Sequence, residues 1–434
     1  MLNKTFQFGQ IVNLEQPLDS VDLKKLLQTG KKQLLKTPPK VDQVIEILVR
    51  VGTIWMNTES SVHLRIKEQL KAAGIIGSSV DLFFNEALKF FSKIVLEQRW
   101  EKALGNKNTN PVGMVLHVGA TNTLVAGLDG LIDGLLAGNI NFYKFSTADG
   151  GIAGMLFESI LAVDIDKIIA KRLVAFWWKG GDKKIESIFK ANMDVIIVWG
   201  GVDAIMSWKA NLGFSARIIS HGPKCGIGIL TAAGLKESSL EELCKNIVMD
   251  VSMWDQKACN NLQTLFIEEA ISKEILNSFF ECLQFTFQKI YDDAVPVRTA
   301  DEYIDIMNAR ELIKAEFLIS SGVKLIAPME NTWTLAYWTK WKSGLMPTPL
   351  CRFLNIINFS NLEFILDGLS EEKYWMQTMG YCISKNETEK LVNTARALGI
   401  TRICSFGNMV LPSTSQPHDG NYDLNQLVQI MAMN

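Results

Sequence analysis

Between Pro111 and about Leu230, short β-rich runs alternate with helical ones, and no other feature of this chain limits its fold as strongly. In order they read PVGMVLHVG, a helix, NINFYKFS, AGMLFESILAV, RLVAFWW, IESIFKAN, DVIIVWGG, VDAIMSWKAN and SARIIS. Such alternation predicts βαβ units, hence a mostly parallel sheet covered by helices. The first helix can be checked by spacing: Leu124, Leu128, Leu131 and Leu135 step by 4, 3 and 4 residues, share one face, and pack on the sheet.

On either side the texture changes. Residues 1 to about 105 carry little strand signal after the first dozen positions, and Val41–Trp55, Val62–Ala73 and Val80–Leu104 read as helices with apolar faces. A second region begins near Met249, with an amphipathic helix over Ser272–Tyr291 on which Leu276, Phe279, Leu283, Phe287 and Ile290 step by 3, 4, 4 and 3. It continues through the strand-like FLNIINF and RICSF to the tail HDGNYDLNQLVQIMAMN. No internal repeat or low-complexity linker separates these parts, so the boundary near residues 230–250 reads as a hinge. With 434 residues, 48% of them hydrophobic, two or three packed domains are expected. The division read here is 1–105 as a helical N-terminal part of a cofactor domain, 106–245 as its Rossmann-like region, 246–412 as a catalytic domain and 413–434 as a tail.

Charge excludes several function classes. Forty-four Lys and Arg against 46 Asp and Glu give a net charge of -2, which removes the electrostatic case for wrapping nucleic acid or coating an anionic membrane. A phosphate-bearing small molecule remains open, because a local site needs few donors. The start, MLNKTFQFGQIVNLEQP, lacks a basic region followed by an apolar run, so no secretory signal is expected. The apolar stretch Val112–Phe142 contains His117, Asn122, Asp129 and Asp133 and reads as buried core, with no membrane span expected. Seven cysteines without C-x-x-C spacing argue against a disulfide framework and a structural zinc site, and imply a reducing cytoplasmic setting; no metal is expected.

Among the candidate residues, Cys259 in MWDQKACNNLQ stands out: it is entered from a polar segment and followed by Asn260 and Asn261 before what reads as a helical stretch. A thiolate at a helix N-terminus is stabilised by exposed N–H groups and is nucleophilic at neutral pH. On residue type alone, a buried structural Cys is the commoner outcome. Cys244 and Cys282 sit inside amphipathic helical patterns, while Cys351, Cys382 and Cys404 have apolar neighbours, and all five read as core. Cys225 enters an apolar strand and reads the same way. Gly200 and Gly201 fall between the strand DVIIVW and the helix VDAIMSW, where a helix N-terminus can receive a phosphate or where the chain simply turns. Lys144 ends the strand INFYK, at an edge that meets ligand in open α/β sheets, and is equally readable as a solvated Lys. Of the four histidines, His117 reads as core, His63 as surface on a helix, and His221 (HGPK) and His418 (PHDG) as loop residues near a site. None of them can be paired with Cys259 from the sequence, and H-E-x-x-H, Walker A and G-x-S-x-G patterns are absent.

Taken in order, these pieces resemble a known plan. The segment PVGMVLHVGATNTLVAGLDGLIDGLLAGNINFYKFS resembles the aldehyde dehydrogenase superfamily stretch that runs from a P-x-G strand through an Asn-bearing loop and a helix to a strand ending in Lys. With DVIIVWGGVDAI, HGPKCGIGIL, WDQKAC and the tail HDGNYDLNQLV, the chain more closely resembles the LuxC-type fatty acyl-CoA reductase branch over roughly residues 40–434. The resemblance implies an α/β, aldehyde dehydrogenase-like fold with a Rossmann-type cofactor domain and an α/β catalytic domain carrying the nucleophilic Cys. It implies an acylating oxidoreductase that reduces an acyl thioester, of medium to long chain, to the aldehyde.

Carried over residue by residue, the resemblance makes Cys259 the nucleophile and Asn122 the side-chain member of an oxyanion hole whose other donor is the Cys259 N–H. It places Lys144, with Ser146 and Thr147, at the cofactor ribose and Gly200 and Gly201 under the pyrophosphate, and it leaves His221, Lys224 and His418 as residues lining the site. Two departures sharpen this. Counting four residues back from Lys224 gives Ser220, where hydrolytic relatives carry a Glu that activates water, so an acyl-enzyme here is expected to resist hydrolysis. Thr147 stands where a Glu would bind the ribose 2′-hydroxyl, which leaves room for a 2′-phosphate and tilts the cofactor to NADPH over NADH. A Glu-x-Phe-Gly-Pro motif is missing near PTPLCRF. The aromatic residues Trp254, Phe279, Phe280, Trp333, Trp338 and Trp341 suit an acyl tunnel, and are more simply core and subunit interface. The partners implied are acyl-CoA or an acyl carrier protein as donor, a homo-oligomer contacted through the tail, and an acyl-activating or acyl-transferring enzyme.

Overall fold

The computed structural model describes residues 4–13, 19–72, 75, 77–119, 127–146, 151–293, 295–411 and 415–432. The chain divides into two compact units, one of residues 1–71, 80–223 and 413–434 and the other of residues 72–79 and 224–412.

In the first unit β1 (Lys4–Gln7), β2 (Ile11–Asn13), β3 (Thr109–Pro111), β4 (Met114–Val118), β5 (Ile140–Lys144), β6 (Leu173–Phe176), β7 (Val195–Trp199) and β8 (Arg217–His221) include a seven-stranded sheet ordered β2-β1-β6-β5-β4-β7-β8. From β6 to β8 the pairings are parallel, and β1 joins β6 antiparallel. Strands β4, β5 and β7 read MVLHV, INFYK and VIIVW and are buried almost throughout, as expected where helices cover both faces of a parallel sheet. The order β6-β5-β4-β7-β8 reverses direction beside β4, which places a topological switch point between the carboxyl ends of β4 and β7. Register puts Val118 opposite Lys144 and Val198, and Trp199 opposite His221, so Lys144, Trp199 and His221 share that carboxyl edge.

The N-terminal helices are α1 (Ser20–Leu34), α2 (Val41–Met56), α3 (Ser61–Ala72), α4 (Ser78–Glu86) and α5 (Lys93–Ala103). The expected single helix over Val80–Leu104 is instead α4, a 3-10 turn over Ala87–Phe91 and α5, the last opened by Ser92, whose hydroxyl accepts from the Val95 N–H. His63, expected at the surface, is buried, with Nδ1 2.9 Å from the Trp55 carbonyl and its ring stacked 4.0 Å from Phe84. The crossovers are α6 (Leu128–Leu136), α7 (Ile152–Val163), α8 (Lys183–Asn192) and α9 (Val202–Lys209). Of the leucine face on the first crossover, Leu128, Leu131 and Leu135 are buried, while Leu124 lies outside the described residues. Arg99 on α5 grips α6 through a two-pronged ion pair to Asp133, at 2.6 and 2.8 Å, and a 3.1 Å contact to Asp129. Within the tail, Val428–Ile430 pairs antiparallel with β3.

The second unit contains β9 (Cys225–Leu230), β10 (Leu262–Glu268), β11 (Val323–Ile326), β12 (Thr334–Trp338), β13 (Phe353–Phe359), β14 (Met376–Cys382) and β15 (Arg402–Ser405), ordered β11-β12-β13-β10-β9-β14-β15. All pairs are parallel except β11–β12. Its helices are α10 (Ala232–Lys236), α11 (Leu240–Ser252), α12 (Lys273–Asp293), α13 (Ala300–Ser320), α14 (Leu362–Leu369) and α15 (Thr388–Ala397). The apolar stripe of α12 is seated as its spacing predicts, with Phe279, Leu283 and Phe287 buried beside Trp333. Residues 224–245, read from sequence as the end of the cofactor region, belong here: β9 is an interior strand of this sheet, so the boundary falls at Pro223 and Lys224.

Candidate active site

In the second unit Cys259 lies on the turn that enters β10, partly accessible, at the amino edge of the sheet. The turn leads into a strand, not the helix the sequence suggested, so the helix-dipole argument for its thiolate does not apply; LQTLFIE is a largely buried run rich in residues suited to a sheet, and it is inserted between β9 and β13. The turn is built from its own amides. Asn261, fully buried, accepts from the Ala258 N–H at 2.8 Å and donates to the Asp250 and Met253 carbonyls at 2.8 and 3.0 Å. Gln256, also fully buried, donates to the carbonyls of Leu262 and Phe353 and accepts from the Phe353 N–H. The turn lies directly on β9: the Gly226 N–H donates to the Asn261 carbonyl at 2.9 Å, and a Cβ at Gly226 would stand 2.7 Å from that oxygen and 2.9 Å from the Asn260 carbonyl. Lys224 belongs to this unit and donates to the Tyr374 carbonyl. Three of the other cysteines are made unreactive by their surroundings: burial pushes Cys225 and Cys351 up to about 12 and Cys404 up to about 11, whereas Cys282 is partly accessible.

In the first unit the candidate cofactor residues gather on the carboxyl edge. Lys144 closes β5 and holds Nζ 5.3 Å over the Trp178 ring, with Ser146 two residues beyond. Gly201 is the N-cap of α9, with φ -68° and ψ 170°, and a Cβ there would meet open space, so a ligand phosphate has room at that helix start. Gly200 is less free, since its N–H is committed to the His221 carbonyl at 3.2 Å. Asn122 and Thr147 lie outside the described residues. The sequence singled out His221 and His418 without seeing what surrounds them. His221 is buried, with Nε2 2.7 Å from Asp423 and Nδ1 3.7 Å from Asp419; Trp199 stacks on it at 4.1 Å, and the His418 ring meets it edge-on at 4.7 Å. Burial disfavours charge on His221, but the two carboxylates outweigh it and hold its pKa up at about 9. Burial and the neighbouring imidazolium push His418 down. Asp419 and Asp423 were given no role from the sequence; their one signal was that they lie in the tail HDGNYDLNQLV, within a few residues of His418.

The same cluster is what could hold a metal, because His221, His418 and Asp419 offer ligand atoms within 4.8 Å of one another. Tetrahedral bonds of about 2.0–2.1 Å need donors roughly 3.4 Å apart. The 3.6 and 3.7 Å separations to Asp419 would therefore have to close, and the geometry is better described as an imidazolium between carboxylates. His117 is a core residue as expected, with Nε2 2.9 Å from Asn141 and a pKa pushed down to about 4 by burial, so it is neutral.

Comparison with known proteins bears on both units. Solved structures with the same architecture include aldehyde dehydrogenase 21 from Physcomitrella patens in complex with succinate, at TM-score 0.75 and 10% identity, covering 98% of this chain and 96% of that one. An NAD-dependent benzaldehyde dehydrogenase from Corynebacterium glutamicum aligns at TM-score 0.73 and 10% identity over 99% and 97%. The fold is aldehyde dehydrogenase-like. Among sequence relatives, a long-chain acyl-protein thioester reductase from Vibrio harveyi is 23% identical over 74% of this chain, and the match spans 64% of that protein's length. Another, from Photorhabdus laumondii, is 24% identical over 90% of this chain and 81% of its own. Among the described residues, no helix is long and apolar enough to cross a membrane. A family model described as acyl-CoA reductase (LuxC) matches residues 36–430, nearly the whole chain, and the protein belongs to that family.

Proposed function

We propose that this protein is an oxidoreductase that reduces an acyl thioester to the aldehyde through an S-acyl intermediate on Cys259. The observation that carries the reading is the Cys259 turn: a partly accessible thiol on a backbone held by two fully buried amide side chains. Family membership supports it, and so does Ser220, which cannot supply the carboxylate that hydrolytic relatives use to activate water.

In the first step the Cys259 thiolate attacks the thioester carbon, the carbon–sulfur bond to the donor breaks, and the departing thiolate takes up the proton that Cys259 gave up. One thioester replaces another, so this step is nearly balanced and reversible. A nicotinamide dinucleotide, when bound, supplies a hydride to the acyl carbon. The N–H of Cys259 and the side chain of Asn122 hold the resulting oxyanion; loss of one such donor costs about 3 kcal/mol, or 10²-fold or more in rate. Re-forming the carbonyl breaks the bond to sulfur, frees the aldehyde and returns the thiolate. Sulfur suits the role because a serine alkoxide would leave far more slowly. Lys144 and Ser146 would hold the cofactor ribose and the α9 start at Gly200–Gly201 its pyrophosphate, while Thr147, being neutral, favours NADPH over NADH. His221 and His418 line that edge, and Lys224, tied to Tyr374, is assigned no step.

Two donors fit this chemistry, a CoA thioester and a protein-borne thioester. The description of the relatives as acyl-protein thioester reductases favours the second. The wider reading also takes residues 106–223 as the cofactor region, 224–412 as the catalytic region, the tail as a subunit contact in a homo-oligomer, and an acyl-activating or acyl-transferring enzyme as supplier. The test is intact mass after incubation with a chain-length series of acyl-CoA and acyl-carrier-protein thioesters. The expected result is one acyl adduct that hydroxylamine removes and that is absent from Cys259→Ala. An adduct that survives in that variant, or no adduct with any donor, would overturn the reading.

A further inference from the structure

The residues leading to Cys259 have an uncommon conformation. Trp254, Asp255 and Gln256 carry φ of 57°, 49° and 66°, three successive residues in the left-handed region that a Cβ disfavours. A second run, Leu350, Cys351 and Arg352, has φ of 62°, 58° and 64°. The two runs are joined: the Cys351 N–H donates to the Asp255 carbonyl at 3.1 Å. Arg298, its side chain 1% exposed, secures both. Its Nε and Nη2 each lie 2.7 Å from the Asp255 carboxylate, Nη2 also donates to the carbonyls of Cys351 and Thr332 at 2.9 and 3.2 Å, and Nη1 donates to that of Asn331. Beside them the Gln256 amide spans from the first residue of β10 to the first residue of β13. Strained backbone persists only where its surroundings over-determine it, and it concentrates at functional sites. A buried ion pair is likewise poor as a device for stability, since apolar packing of the same volume serves as well.

We propose that the Asp255–Arg298 ion pair, acting with the Gln256 amide, is the positioning device of the nucleophile, holding the left-handed turn that sets the backbone of Cys259 and hence its thiol and N–H. These residues act through Cys259 and need no contact with substrate. The assignment rests on reading Cys259 as the nucleophile.

The experiment compares the full-length protein with Arg298→Met, Asp255→Asn and Arg298→Lys. Alkylation of Cys259 and Cys282 by iodoacetamide is followed by peptide mass spectrometry, alongside single-turnover acylation, kcat, KM and Tm. Misplacement of a reacting group by an ångström can slow a reaction 10²-fold, so Cys259 alkylation and acylation are expected to fall at least about tenfold in Arg298→Met and Asp255→Asn. Cys282 should react at the wild-type rate, kcat should fall with KM nearly unchanged, and Arg298→Lys should recover part of the loss. Folded Arg298→Met and Asp255→Asn variants in which Cys259 reacts within twofold of wild type would overturn the proposal. Should those two unfold, a folded Arg298→Lys that reacts like wild type would overturn it as well, because a single ammonium cannot reproduce the fork. If the wild-type protein alkylates at Cys259 but never acylates, the nucleophile reading fails, while the alkylation ratios still decide the positioning role.

Discussion

Gly226 shows how far a single side chain can reach into this site. Its N–H binds the turn that carries Cys259, and the Asn260 and Asn261 carbonyls pass so close that any Cβ would displace them. Gly226→Ala is expected to cost about 1–3 kcal/mol through overpacking. It should also slow Cys259 alkylation, because the turn must shift to relieve the contact. Urea denaturation read beside alkylation kinetics checks both, and unchanged alkylation in a destabilised variant would separate stability from site geometry. At this scale the sequence was legible only in part. Cys259 stood out through its polar approach and a family resemblance, but the helix expected after it is a strand, and Arg298, 39 positions further on, carried no local signal.

At the level of elements, two junctions in the first unit depend on buried charge. Where α5 meets α6, burial pushes Asp133 up to about 6 in spite of the two-pronged ion pair with Arg99, which holds it below what burial alone would give. Arg99→Met should therefore destabilise by about 3–5 kcal/mol, an uncompensated buried charge being the cause; thermal unfolding would measure it. At the end of β8, the His221 pKa is held above its ordinary value, so the sign is that of a group gaining partners. Its stabilisation is complete below about 6.5, the unfolded value, and is lost as pH rises through about 9. Between those limits up to about 3 kcal/mol should disappear. Chemical denaturation of the wild type should show that slope, and His221→Asn should flatten it. The alternation of β-rich and helical runs had made the strands and crossover helices readable, and a 3.6-residue apolar stripe had done the same for α12. Neither pattern could show that the stretch from Val80 to Leu104 breaks at a 3-10 turn, after which Ser92 caps α5.

Over the whole molecule the chain returns on itself. Residues 413–434 are the far end of the sequence yet belong to the first unit, where Val428–Ile430 pairs with β3, Asn139 donates to the Leu427 carbonyl at 2.9 Å and Arg217 to that of Gln426. Ending the chain after residue 414 removes that strand together with His418, Asp419 and Asp423. The expected outcome is a lower Tm for the first unit and loss of the alkaline stability slope assigned to His221, with the second unit unfolding near its wild-type temperature, as differential scanning calorimetry would resolve.

The amino-acid order alone was enough for whatever recurs along it: the βαβ rhythm, the helical apolar faces of period 3.6, the turn glycines of α9 and the near-neutral charge that leaves anion binding to local clefts. Tertiary structure alone decided which distant residues meet. It set the unit boundary at Pro223 and Lys224, placed β9 inside the second sheet, enclosed His221 between two carboxylates of the tail, and clamped the turn before Cys259 with Arg298. The physical reason is range: periodicity and propensity act over a few residues, whereas an ion pair or a strand pairing between positions tens to hundreds apart depends on how the whole chain closes.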